Sequence, residues 1–177
     1  MNLTGMAAHA AKRVDRLKKE DPVESLRGRP LYARLALDPS TVLTPGAKIV
    51  EIRFADPDSG FLVPKQNANP SEAARLAREA EQSGAVGVAI WVDRHFHAGE
   101  HSHIEAARAA CPKLFLIARD FVMDPWQIER ARAAGADALE LIPELLGPAL
   151  PSVAAAVRSL GLVPIVWGDD AMIRAAQ

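Results

Sequence analysis

The chain has 177 residues, 49% of them hydrophobic, enough to bury one sizeable core as a single domain. Its 21 basic residues face 22 acidic ones for a formal net charge of -1, so there is no electrostatic case for nucleic acid or an acidic membrane surface as partner. The lone cysteine, Cys111, excludes an intrachain disulfide and a cysteine-rich zinc site, and no apolar run approaches the roughly 20 residues that span a bilayer.

The N-terminus is basic but mixed with Asp15, Glu20 and Asp21, and it lacks a signal peptide's apolar core, so a cytoplasmic protein is expected. Residues 5–20, rich in Ala, Lys and Arg, read as a surface helix that Asp21-Pro22 stops. Residues 23–37 read as a second helix interrupted at Gly28-Arg29-Pro30, and residues 38–46 as a connector. The first strand is expected at 48–54. Along it Glu51, Arg53 and Ala55 share one face, while Val50, Ile52 and Phe54 share the other. An acid and a base on an otherwise apolar strand are costly unless that face lines a polar cavity.

Residues 59–68 are polar and irregular. Asn69 then reads as an N-cap, with Pro70 at the first helical position and Glu72 completing a capping box, for a helix to about 83 that ends at Gly84. The alternation continues with a strand at 87–92, a histidine-rich loop, a helix over about 102–111 and a strand at 114–118. A second capping box, Asp124-Pro125-Trp126-Gln127, opens a helix that ends at Gly135. A strand at 138–142, a helix over 151–160 and a strand at 163–167 follow, and Asp169 is placed to cap a last helix. Nearly continuous apolar strands alternating with helices mean βα units and parallel pairing. The expected fold is therefore α/β, one domain over 1–177, with a helical segment at 1–45 and the βα units at 46–177.

Several segments resemble the indole-3-glycerol phosphate synthase family. Ile49-Val50-Glu51-Ile52-Arg53-Phe54-Ala55-Asp56-Pro57 looks like that family's first strand. Leu116-Ile117-Ala118-Arg119-Asp120-Phe121-Val122-Met123-Asp124-Pro125-Trp126-Gln127-Ile128 resembles its L-x-K-D-F-I-x-D-x-x-Q-I segment, and Ala131-Arg132-Ala133-Ala134-Gly135-Ala136-Asp137-Ala138 its E-A-R-A-x-G-A-D-A block. The resemblance implies a (βα)8 TIM-barrel ancestry in the tryptophan pathway, with about five of eight βα units present and the later phosphate-binding loops absent. Five strands would leave an open sheet edge, so a homo-oligomer or partner chain is expected to cover it.

Departures from the family pattern define the candidate site. Glu51 stands at the strand-one carboxylate position. Arg53 and Arg119 stand where the family has lysines, and Trp167 where it has a glutamate. Arginine keeps the charge and can hold a carboxylate or phosphate, but its pKa, above about 12, makes Arg119 a poor general acid. Glu51, Arg53 and Arg119 are the candidate catalytic residues; Glu140, Trp91, Phe96 and Trp167 are the candidate ligand-binding ones. The competing reading is a buried ion-pair network without turnover.

The loop Asp93-Arg94-His95-Phe96-His97-Ala98-Gly99-Glu100-His101-Ser102-His103 admits two readings. His95, His97, His101 and His103, with Asp93 or Glu100, have the chemistry to ligate zinc or another divalent metal, or they are solvated imidazoles on a loop. The family uses no metal or other cofactor. The Asp56-Pro57-Asp58-Ser59-Gly60 turn repels a phosphate by like charge. Trp126 and Cys111 read as packing residues. Three functions follow as expectations: a synthase-like lyase with lost or altered activity binding a small anion; a non-catalytic structural or regulatory subunit; and a metal-dependent enzyme.

Overall fold

The computed structural model describes residues 2–166. Helix α1 (Leu3–Glu20) starts where Asn2 Oδ1 accepts the Gly5 N–H at 3.0 Å, and it stops at Asp21, because Pro22 has no N–H with which to continue. The expected second helix is shorter than its sequence suggests. Helix α2 (Val23–Arg27) ends at Gly28, and beyond it only a 3-10 turn forms over Pro30–Ala33. Helix does not continue to Leu37, because Arg34 and the Leu37 N–H are held by the buried Asp137 carboxylate. A one-turn α3 (Pro39–Val42), capped by Asp38, lies within the connector.

Strand β1 (Ile49–Ile52) is followed by a small antiparallel hairpin, β2 (Ala55–Asp56) and β3 (Gly60–Phe61), where the sequence suggested only a turn and irregular chain. Gly60, at φ +73, supplies the left-handed residue that closes its loop. Helix α4 (Pro70–Gln82) has the expected cap, Asn69 Oδ1 accepting the Glu72 N–H at 3.0 Å. The return half of that box is not made, because Arg75 takes the Glu72 carboxylate at 2.8 Å.

Strand β4 (Gly87–Trp91), helix α5 (His101–Ala110), strand β5 (Phe115–Arg119), helix α6 (Pro125–Ala133) and strand β6 (Ala138–Leu141) continue the alternation. A short α7 (Pro143–Leu146) that the sequence did not announce, helix α8 (Leu150–Ser159) and strand β7 (Val163–Val166) follow. Both halves of the Asp124/Gln127 capping box form. The expected strand end at Trp167 and the helix capped by Asp169 lie outside the described residues.

The five longer strands form one parallel sheet in the order β1-β4-β5-β6-β7, the expected partial TIM-barrel-like arrangement with N-terminal helices. Glu51 lies opposite Ala89, Trp91 opposite Arg119 and Ala118 opposite Leu139. Strand alternation then separates two faces. On the helix-covered face Val88, Ile90, Leu116, Leu139 and Leu141 pack with Ala73, Ala77, Ile104, Ile128 and Val157 in the main core. Each fully buried Leu or Ile there contributes about 1.5–3 kcal/mol relative to exposure. On the other face the N-terminal half of the strands is apolar: Ala89, Phe115, Ile117 and Ala138 are covered by Leu37, Val42 and Leu43 of the N-terminal segment. The C-terminal half of that face carries the charged residues. No helix among the described residues is long and apolar enough to cross a membrane.

Candidate functional site

Arg119, the last residue of β5, lies between carboxylates from two other strands. Its Nη2 donates to Glu140 Oε1 of β6 at 2.9 Å, and its Nη1 donates to Glu51 Oε1 of β1. The guanidinium carbon stands 4.6 Å from the centroid of the Trp91 ring, and the Trp91 indole N–H donates to the same Glu51 oxygen at 2.8 Å. Arg53 completes the cluster, its Nε 3.5 Å from Glu51 Oε2 and its Nη1 donating to Asp56 Oδ2 at 2.7 Å. Burial of the apolar strand interiors fixes these positions. Glu140 is 5% exposed, whereas Glu51 and Arg53 remain open to solvent at the edge strand. Five predicted residues, Glu51, Arg53, Trp91, Arg119 and Glu140, are thus brought together with Asp56, as three carboxylates on two guanidiniums.

An aromatic roof lies over this cluster. His97 stacks on Trp91 with ring centroids 3.7 Å apart, and Phe121 packs beside both. The backbone carbonyl of His97 accepts the N–H groups of Phe54 and Ala55, each at 3.1 Å, which ties the loop after β4 to the end of β1. Phe96 is turned into a cluster with Ala10, Trp91 and Phe121, against Leu3 and Met6 of α1, and so belongs to the roof rather than to the ion-pair network. Trp167 lies outside the described residues.

The four loop histidines do not converge. His95 is exposed and stacks on His9 of α1 at 3.8 Å. His97 is buried on Trp91. His101 is buried in the first turn of α5, where burial first, and then the charges of Arg130, Arg13 and Arg29, hold its pKa well below the usual value. His103 Nδ1 accepts the Glu100 N–H at 3.3 Å while the Glu100 side chain caps His103 in return. This capping box accounts for Glu100 and His103 standing three apart, in place of either metal ligation or a solvated imidazole. Among the described residues no group of three or more His, Cys, Asp or Glu side chains is placed to hold a metal ion. Helix capping takes up the His103 imidazole instead, and ring stacking those of His95 and His97.

Two buried carboxylate clusters escaped the sequence reading. Arg13 of α1 donates to both oxygens of Asp120, at 2.9 and 3.1 Å, and to the Val92 carbonyl at 3.1 Å, and it lies 3.4 Å from Asp93. Burial raises the Asp120 pKa against the opposing pull of Arg13 and Gln127. Asp137, fully buried, accepts from Arg108, Arg34, the Leu37 N–H at 2.9 Å and the Leu116 N–H at 2.8 Å. The available signal was the placement of Asp93, Asp120 and Asp137 at strand ends, where an acid in an apolar context needs a partner. As expected, Trp126 packs with Val14 and Leu26, its indole N–H donating to the Asp21 carbonyl at 2.8 Å, and Cys111 is buried, which raises its thiol pKa.

The chain has relatives among known proteins. A family model described as indole-3-glycerol phosphate synthase matches residues 4–172. The chain is similar to the indole-3-glycerol phosphate synthase of Aromatoleum aromaticum, 38% identical over 126 residues, which cover 71% of this chain and 46% of that protein. It is similar to that of Acidithiobacillus ferrooxidans, 37% identical over the same length, and to that of Roseiflexus castenholzii, 34% identical over 173 residues that cover 93% of this chain and 62% of that protein. The chain therefore spans about half of the first two relatives and less than two thirds of the third.

Proposed function

The chain belongs to the indole-3-glycerol phosphate synthase family, and we propose that its strand-end site has exchanged proton transfer for a fixed ion-pair network, so that the decarboxylating ring closure of that family is absent or much reduced. The observation that supports this reading is Arg119, held between Glu51 and Glu140 above the Trp91 ring. A general acid must release a proton within reach of the reacting group, and a guanidinium paired to two carboxylates holds its protons. The small anion expected at this site has to displace a carboxylate, since three acids already serve two arginines. The contact most open to exchange is Arg53 with Glu51, 3.5 Å apart and both partly exposed.

The test is turnover of carboxyphenylamino-deoxyribulose phosphate, the substrate that the family resemblance implies. The parent chain is expected to show none above background, and Arg53→Lys/Arg119→Lys/Trp167→Glu is expected to gain measurable product. Full activity in the parent chain would overturn the reading.

A second reading, a subunit that completes its sheet with a second copy, draws on the outer strands. The residues of β7 are all partly exposed and β1 is buried only at Ile52, whereas every residue of β4 and β6 is buried. Light scattering on the purified chain distinguishes the two: this reading requires a dimer or larger, and a monomer near 19.0 kDa rejects it.

A further inference from the structure

A cavity of about 200 Å³ lies between α1, the loop after β4 and the start of α5, and none of Glu51, Arg53, Trp91, Arg119 or Glu140 lines it. Four arginines, Arg13, Arg16, Arg94 and Arg130, line it against two carboxylates, Asp21 and Glu100. Arg13 is engaged by Asp93 and Asp120 behind the wall, and Arg130 by Glu105 and by Asp21, which itself lines the cavity. Arg16 and Arg94 are different. Their side chains are 67% and 75% exposed, and their contacts are loose, 3.8 Å to Glu20 and 3.3 Å to Glu100. Both can swing to a ligand at little cost.

The floor of the cavity carries polar groups that no residue of the described chain bonds. His101, 8% exposed, lines it, and neither ring nitrogen has a hydrogen-bond partner among the described residues. The N–H groups of His101 and Ser102, in the first turn of the ten-residue α5, likewise have no bonded acceptor among those residues, because the Glu100 carboxylate caps only His103. The Ser102 hydroxyl adds another donor at the same place. Leu17, Val92 and Trp126 form an apolar wall beside these groups.

We propose that this cavity is a binding site for a small phosphate dianion, inorganic phosphate or a phosphate monoester, seated on the first turn of α5 between His101, Ser102, Arg16 and Arg94. A tetrahedral dianion satisfies the two free N–H groups and the hydroxyl at once, and it accepts charge-assisted bonds from the two mobile guanidiniums. The room left beside Trp126 suits the organic part of a monoester.

The experiment is calorimetric titration of the full chain with inorganic phosphate and with phenyl phosphate, at constant ionic strength in chloride. Saturable binding at one site is expected for the parent chain, weakened about tenfold or more in Arg16→Ala/Arg94→Ala. The control Lys65→Ala/Lys113→Ala, which removes the same charge elsewhere, and Glu51→Gln are both expected to bind as the parent does. Tighter binding of phenyl phosphate assigns the site to a monoester, and equal affinity assigns it to the free ion. No saturable heat with either probe overturns the proposal, as does equal weakening in the lysine control. Tighter binding in Glu51→Gln also overturns it, because that change frees Arg53 and Arg119 from a competing carboxylate and the gain would move the anion to the strand-end cluster.

Discussion

Arg119 and Glu140 face each other across β5 and β6, with Nη2 2.9 Å from Oε1 and Nε 2.7 Å from Oε2. The guanidinium is thereby already held on one side, and whatever the site binds must reckon with that pairing.

Glu140→Gln keeps the shape of the side chain and removes its charge. Glu140 is buried, while Arg119 retains some solvent, so the expected loss is about 1–3 kcal/mol, less than for a fully buried pair. Arg119→Met/Glu140→Gln, which removes both charges, is expected to cost less than Arg119→Met and Glu140→Gln added together. Urea denaturation of the four proteins measures the cycle. Stability of Glu140→Gln equal to that of the parent would show that the pair does not hold the strand ends.

Arg13 fixes α1 to the sheet through Asp120, Asp93 and the Val92 carbonyl. Arg13→Lys keeps the charge but loses the planar fork, and a single nitrogen cannot stand where Nη1 meets the Val92 carbonyl and Nη2 meets Asp120. A loss of about 2–4 kcal/mol is expected, since two buried carboxylates are left poorly paired. Hydrogen exchange should quicken first in α1 and in the loop after β4. Uniform quickening across the sheet would argue against a local role for Arg13.

Much of this architecture was legible in the sequence. Nearly continuous apolar runs placed all five parallel strands, and Asn69 and Asp124 each announced a helix start correctly. The strand-one alternation put Glu51 on the charged face, and the resemblance placed Arg119 beside it. What was not legible depends on partners distant in sequence. Nothing local says that Asp137 would hold Arg34 and the Leu37 N–H about a hundred residues earlier and so end the second helix short, or that Arg75 would take Glu72 from its capping role. The histidine loop left two readings open, a metal site or solvated imidazoles, and close spacing could not choose between them. Stacking on Trp91 and capping of α5 set where the rings of His97 and His103 lie.

Gly99 is a position where a close approach demands glycine. A Cβ added there would fall on the Trp91 carbonyl, while the Gly99 N–H donates to the Asp93 carbonyl at 2.9 Å. The obstacle is backbone, which cannot rotate away. Gly99→Ala is therefore expected to displace the loop that carries His97 onto Trp91, at a cost of about 3 kcal/mol or more. The thermal midpoint and the near-ultraviolet tryptophan signal should both change. A variant with parental stability would mean that the loop has room it does not show.

Stability should fall as the solution is acidified from about pH 7.5 towards 5, through His101 and His103. Burial lowers the pKa of both, with the Arg130, Arg13 and Arg29 charges adding to the effect at His101 and Glu100 opposing it at His103. Their ordinary value is 6.5, so below it the unfolded chain takes up protons that the folded chain refuses. Stability is then fully present above that value and is lost as pH falls through it towards the lower folded values. Asp120 acts with the opposite sign: its raised pKa favours the folded state as pH falls towards its ordinary 3.8. His103→Gln retains a side chain able to accept the Glu100 N–H at the third helical position, and it does not titrate. Its urea midpoint should therefore depend less steeply on pH between 7.5 and 5 than the parent's. An unchanged slope would place the acid sensitivity at His101 or elsewhere and remove His103 from the account.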